Sequence, residues 1–127
     1  MTALIIDTDV IIDYLRGYRS AVDYIEQLTE EPATSVVVVA ELYAGVKDGT
    51  ERTKLERLLS MTKMVQITAA IAVEGGLFRR RFAKSHGVGL PDALIAATAQ
   101  LESAELVTLN EKHFPMLQNV TVPYRKA

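Results

Sequence analysis

Residues 2–15 read TALIIDTDVIIDYL, and the way this stretch divides decides the fold. Ala3, Leu4, Ile5 and Ile6 are continuously apolar, and the run closes at Asp7. A short apolar run without alternation suits a strand buried on both faces, as in a parallel sheet covered by helices. A first helix is expected at once behind it, from Asp9 to about Leu15. A strand feeding directly into a helix is the opening of an α/β unit, and in such folds the crevice beyond the carboxyl ends of the strands receives ligands. Asp7 stands at that end, where an acid is lifted out of the apolar sheet.

The rest of the chain continues the alternation. A helix is expected from about Ser20 to Thr29 on Val22, Ile25 and Leu28. In PATSVVVVAELYAGVKDG, residues 32–49, the valines suggest a strand while Ser35 suits a helix cap. We read a short strand at Ala33 to Ser35, then a helix to about Lys47 that carries Val38, Val39, Leu42 and Val46. Glu51 to Thr62 is amphipathic on Leu55, Leu58 and Leu59, and Val65 to Ile67 follows as a small strand. Thr68 caps a long helix that ends at His86-Gly87, and Pro91 opens another that runs to Leu101. AELVTL (residues 104–109) is a further buried strand, Asn110 to Pro115 a turn, and NVTVPY (residues 119–124) a last strand. The expected fold class is α/β with a mostly parallel sheet, in a single domain over residues 1–127.

Composition narrows the chemistry. A chain of 127 residues with 49% hydrophobic content buries enough surface to fold without a staple. Cysteine is absent, which excludes disulfides, thiolate metal sites and cysteine nucleophiles. No apolar stretch approaches the roughly 20 residues that span a bilayer, and the first residues lack the basic flank of a signal peptide, so a cytosolic location is expected. A formal net charge of −2 argues against a basic nucleic-acid-binding tail but leaves room for a local basic patch.

Three acids are candidates for a site. Asp7 ends the first strand, although it or Asp9 would also cap the following helix. Asp9 reads as a helix-start residue and Asp13 as part of a solvated face. Glu41 has Ala, Val or Gly three and four positions away, so a helix is expected to carry it close to buried surface, where an uncompensated carboxylate is costly. Asp92 is the second residue of an otherwise apolar helix, where the dipole alone would favour an acid. If the three converge on the crevice, their repulsion requires a proton or a cation. Oxygen-only ligands suit hard ions such as Mg²⁺ or Mn²⁺, and metal-assisted phosphate-ester hydrolysis is the chemistry implied.

Acidic α/β designs of several kinds begin this way. LIIDTDVI resembles the start of haloacid-dehalogenase-like phosphohydrolases, but their late paired-acid motif is missing. Receiver domains need an acid after a middle strand, and only Glu74 lies between Arg57 and Gly89. From LIIDTDVIIDYL through TSVVVVAELYAGV to GLPDALIAATA and ELVTLNEKHFP, the chain resembles PIN-domain ribonucleases, most closely VapC toxins of toxin-antitoxin systems. The resemblance implies a three-layer α/β/α sandwich around a largely parallel five-stranded sheet. It also implies Mg²⁺- or Mn²⁺-dependent endoribonuclease activity, a VapB-type antitoxin and a homodimer.

Carried over by position, Asp7, Glu41 and Asp92 match the family's metal-binding acids, and Thr8 the small hydroxyl residue behind the first. Thr108 and Asn110 match the polar residues of the fourth motif, and Asp9 is then a helix-start residue or an outer-shell partner of Asp7. His113 stands where many members carry another aspartate, which favours one tightly held metal over two. His113 reads either as a group that contacts phosphate or transfers a proton, or, by its residue type, as a structural turn residue. Arg79, Arg80 and Lys84 in FRRRFAKSH are candidates for RNA contact, or a solvated helix face. Leu42, Tyr43, Val46, Tyr14 and Leu15 are apolar candidates for an antitoxin groove, or ordinary core. An inactive RNA-binding or regulatory subunit of the same fold is the alternative reading.

Overall fold

The computed structural model describes residues 3–126; residues 1, 2 and 127 of the expected domain span lie outside them. Five short strands form a parallel sheet: β1 (Leu4–Ile6), β2 (Ala33–Ser35), β3 (Lys63–Val65), β4 (Glu105–Val107) and β5 (Val120–Thr121), in the order β3-β2-β1-β4-β5. Between them run α1 (Thr8–Leu15), α2 (Arg19–Glu26), α3 (Val36–Gly45), α4 (Thr50–Ser60), α5 (Ala69–His86) and α6 (Leu90–Leu101). The arrangement is the three-layer α/β/α sandwich expected. The core joins Ile5 and Ile6 to Leu106 and Val107 across the sheet and to Val10, Val38, Leu55, Ile71 and Ile95 from the helices.

Strand order reverses at β1. The chain steps from β1 to β2 to β3 on one side, then crosses to β4 and β5 on the other. In open α/β sheets this switch point leaves a crevice above the central strands. The β1–β4 register pairs Ile5 with Leu106 and Ile6 with Val107, so Asp7 and Thr108 emerge level with each other at that crevice. The Asp7 amide donates to the Val107 carbonyl at 2.9 Å, which fixes the junction.

Three helix signals operate as expected. Ser35 accepts from the Val37 amide at 3.1 Å, Thr68 accepts from the Ile71 amide at 3.1 Å, and Gly87 ends α5 in the left-handed region at φ 63°. Helices α5 and α6 approach closely because Gly75 has no side chain: a Cβ there would lie 2.6 Å from Leu94 Cδ2 and 3.2 Å from Leu94 Cα.

Several boundaries differ, among them that of β4, which is Glu105–Val107 within the expected residues 104–109. The third strand is Lys63–Val65 instead of Val65–Ile67, because its register with β2 pairs Ala33 with Lys63 and Ser35 with Val65. The last strand stops at Thr121, since Pro123 cannot donate to a ladder and the following residues turn back over α1. Helix α2 closes at Glu26 and α3 at Gly45, each short of its expected end. Asp13 is not on a solvated face. It is 8% exposed and accepts from the Tyr124 hydroxyl at 2.7 Å and from Lys126 Nζ at 2.9 Å. Burial first, and the neighbouring Asp13 charge with it, pushes the Tyr124 phenol above its ordinary range.

Candidate active site

Asp7 both caps α1 and faces the crevice. Its φ of −79° and ψ of 163° are extended, and Oδ1 accepts from the Thr8 amide at 2.7 Å. Oδ2 accepts from the Thr108 hydroxyl at 2.8 Å, a bond between residues 101 positions apart that the strand register makes possible. The capping and site roles of Asp7 are therefore one geometry.

Thr108 is fully buried, and its hydroxyl is the hub of the site. Besides Asp7 it lies 3.3 Å from Asp9 Oδ2, and it accepts from the Asn110 amide at 3.1 Å. Asp9 is held at both oxygens: Oδ1 accepts from the Val10 amide at 2.8 Å and Oδ2 from the Leu109 amide at 3.1 Å. It ties the start of α1 to the end of β4, which agrees with both the helix-start and the outer-shell placement expected of it.

Glu41 and Asp92 enter from the sides. Glu41 is exposed, contrary to the expectation of near burial, because α3 turns Val38 and Leu42 inward and leaves the next positions open. The Thr8 hydroxyl nevertheless donates to Glu41 Oε1 at 2.7 Å, tying it to the first motif. Asp92, on the first turn of α6, has Oδ2 3.1 Å from His113 Nδ1. Asn110 Nδ2 lies 2.9 Å from the same ring nitrogen. That nitrogen can accept from Asn110 or donate to Asp92, but not both at once. His113 thus lies in the turn that its residue type suggested and also touches the site directly. A 3-10 turn at Glu111–His113 places it there, a position that the spacing from Asp92 does not reveal.

Asp7, Thr8, Asp9, Ile12, Glu41, Asp92, Asn110 and Phe114 line a shallow crevice of about 210 Å³. Thr108 lies beneath it. Arg79, Arg80 and Lys84 are exposed along α5 and outside this lining. Leu15, Leu42 and Val46 line a small adjoining depression of about 80 Å³. Tyr14 and Tyr43 do not; they lie against Lys54 and Arg52, with ring centroids 5.6 and 5.8 Å away. A wider groove of about 410 Å³ between α6 and the approach to β5, lined by Gln100, Ser103, Met116 and Asn119 among others, carries no ionisable side chain.

Electrostatics favour a cation in the acidic crevice. Burial, then the Asp9 charge, pushes the Asp7 carboxyl from an ordinary 3.8 up to about 7, against the opposing bonds from Thr108 and Thr8. Burial also raises the Asp9 carboxyl. Among the described residues no lysine or arginine is within ion-pair distance of Asp7, Asp9, Glu41 or Asp92. Nor do three acidic or histidine side chains among the described residues form a ready-made ion cage. The crevice is a set of hard oxygen donors with uncompensated charge, a set that fits Mg²⁺ or Mn²⁺ and requires its side chains to adjust when an ion binds.

Sheet order, switch-point crevice and carboxylate lining define the class: an α/β domain with an acidic pocket at the head of its central strands. The PIN-domain family model matches residues 4–117. The chain belongs to the PIN-domain family. It is 39% identical over 124 residues to ribonuclease VapC10 of Mycobacterium tuberculosis, covering 95% of this chain and 92% of that protein. Ribonuclease VapC19 of the same organism is 40% identical over 124 residues, with 94% and 98% covered. A chain of a toxin-antitoxin complex from Klebsiella pneumoniae superposes with a TM-score of 0.84 at 31% identity, covering 98% of this chain and 100% of that one.

Thr108 supports a prediction. Thr108→Val keeps the buried shape but removes the hydroxyl that holds Asp7 and meets the Asn110 amide. Loss of such an orienting group typically costs about 10- to 100-fold in metal affinity or activity. RNA cleavage is expected to fall by that factor.

Proposed function

We propose that the protein is a Mg²⁺- or Mn²⁺-dependent endoribonuclease and the toxin of a toxin-antitoxin pair. The observation that carries this reading is the Asp7 carboxylate, buried at the switch point beside Asp9 and Asp92 with no lysine or arginine among the described residues within ion-pair distance of it. The relatives named ribonucleases support the choice of substrate.

Asp7, Glu41 and Asp92 would hold the metal ion. When bound, a divalent ion supplies charge neutralisation at a phosphodiester and acidifies a water. Thr108 and the Leu109 amide orient Asp7 and Asp9, and the Thr8 hydroxyl draws the exposed Glu41 toward the crevice. Asn110, on the crevice wall, offers an amide to phosphate oxygen or to His113. Hydrolysis adds water across the P–O3′ bond, so the products carry 5′-phosphate and 3′-hydroxyl ends. End-group analysis of cleaved RNA tests this. Cyclic 2′,3′-phosphate ends would instead mean attack by the neighbouring 2′-hydroxyl and would overturn the mechanism.

The basic face of α5 extends the RNA contact. Arg79, Arg80 and Lys84 are exposed, and among the described residues none is paired with an acid. Changing all three to alanine is expected to weaken single-stranded RNA binding and reduce the salt slope by about 2 in log-log units, with Mn²⁺ affinity unchanged. An unchanged slope would remove this face from the RNA path.

The reading includes the partners. The depression lined by Leu15, Leu42 and Val46 beside Glu41 offers an apolar foothold next to the acids, suited to an antitoxin segment that covers the crevice. The related toxin-antitoxin complex supports this assignment. Val73 and Leu77, one turn apart on α5 and 64% and 40% exposed, offer an apolar face for a homodimer. A cytoplasmic location belongs to the same reading, and among the described residues no helix is long and apolar enough to cross a membrane.

A further inference from the structure

The acidic crevice, at about 210 Å³, is smaller than the clefts of roughly 300 to 1,000 Å³ that enclose organic ligands. It has room for a phosphate and a water, and the nucleosides on either side must lie beyond it. Two depressions adjoin it. The one beside α3, of about 80 Å³, combines an apolar lining with Glu41 and Glu51 against a single cation, Arg16. Its acids repel a phosphodiester chain. The other, of about 520 Å³, is lined by Ser85, His86, Glu111, Lys112, His113 and Pro115. His113 is the wall between this groove and the crevice, through its contacts with Asp92 and Asn110.

We infer that this second groove seats a nucleotide of single-stranded RNA next to the scissile phosphate, with Lys112 on the RNA backbone and His86 against the base. The inference rests on the nuclease reading and names where the substrate strand leaves the crevice. The groove's chemistry fits such a ligand. Glu111 is engaged by Arg125 at 3.3 Å, which offsets the one acid in the lining and leaves Lys112 as the cation offered to a phosphate. The His86 ring is held by the Ser85 hydroxyl, 2.8 Å from Nδ1, and by an edge-on contact with Phe82 at 5.7 Å between centroids. With Nδ1 engaged in both histidines, Nε2 is the atom each has left for a ligand. An imidazole face stacks on an unpaired base, which a duplex does not offer. Helix α5 ends in this groove, so a strand leaving it meets Lys84 and Arg80 next.

The test uses the full chain and a labelled single-stranded oligoribonucleotide of mixed sequence, with binding read by anisotropy in chelator and cleavage read separately in Mg²⁺. The double variant His86→Ala/Lys112→Ala is expected to bind about 10-fold more weakly, the scale of one lost stacking contact, with a salt slope smaller by about 0.7. Its KM is expected to rise by a similar factor with kcat unchanged, and His86→Phe/Lys112→Arg is expected to restore both. Wild-type affinity in the alanine variant overturns the groove as a subsite, whether or not the protein cuts RNA. Weakened binding in the alanine variant, beside a wild type that cuts nothing, would sustain the groove while refuting the nuclease reading.

Discussion

Asp7→Asn is expected to yield a protein that is more stable than the wild type at pH 8 in chelator and cuts RNA on the order of 10²- to 10³-fold more slowly. The two effects share one cause. In the metal-free fold the Asp7 carboxylate is buried beside the charges of Asp9 and Asp92, and its titration is displaced from 3.8 to about 7. Ionising it costs the folded state up to about 4 kcal/mol relative to the unfolded chain. Asparagine keeps an acceptor for the Thr8 amide and offers an amide to the Thr108 oxygen, so local structure survives without the charge. The charge is also what a cation requires, and the neutral side chain lacks it. Thermal unfolding and cleavage rates measured on one preparation check both halves. A variant less stable than the wild type at pH 8 would mean that Asp7 serves the fold first.

Wild-type stability in chelator is expected to fall as pH rises from about 4 to about 7 and then to level. A carboxyl whose folded value is raised binds its proton more tightly in the native state. Below the unfolded value near 4 both states are protonated and nothing is lost. Between 4 and 7 the unfolded chain releases the proton first, and stability declines through that window. The raised Asp9 carboxyl acts in the same direction. Mg²⁺ or Mn²⁺ should reverse the trend, because an ion that binds only the native, ionised site at 100 times its Kd stabilises it by about 2.7 kcal/mol. Melting curves at pH 5 and pH 8, with and without Mn²⁺, are expected to show a larger ion effect at pH 8, and in Asp7→Asn both the pH trend and the ion effect should be reduced. An ion effect equal at both pH values would separate the ion from these carboxylates.

Much of the fold was legible because the elements declare themselves locally. The apolar run into Asp7, the caps at Ser35 and Thr68 and the stop at Gly87 all act within a few residues. The acids at the head of the crevice followed from strand polarity and from the family resemblance. Long-range pairings were not legible. Asp13 looked solvated because its partners, Tyr124 and Lys126, lie more than 100 positions away. Glu41 looked semi-buried because its neighbours are apolar, but α3 is apolar nearly all round and pattern alone does not say which side faces out. The contact of His113 with Asp92 depends on a turn whose direction no periodicity encodes. The short β5 reflects Pro123 and the return of the chain to α1, against an alternating pattern that reads as strand.

The most direct test of the central claim is cleavage of a long structured RNA by the purified protein in Mg²⁺, in Mn²⁺ and in chelator, beside Asp92→Asn. Asp92 sits on the first turn of α6, and α6 buries a run of alanines without using that carboxylate, so the variant is expected to fold normally. Metal-dependent cutting by the wild type, abolished in chelator and lost in Asp92→Asn, is the expected result. Equal cutting by both proteins, or none by either with identical Mn²⁺ binding, would contradict a catalytic site built on these acids and leave the fold as an RNA-binding or regulatory subunit.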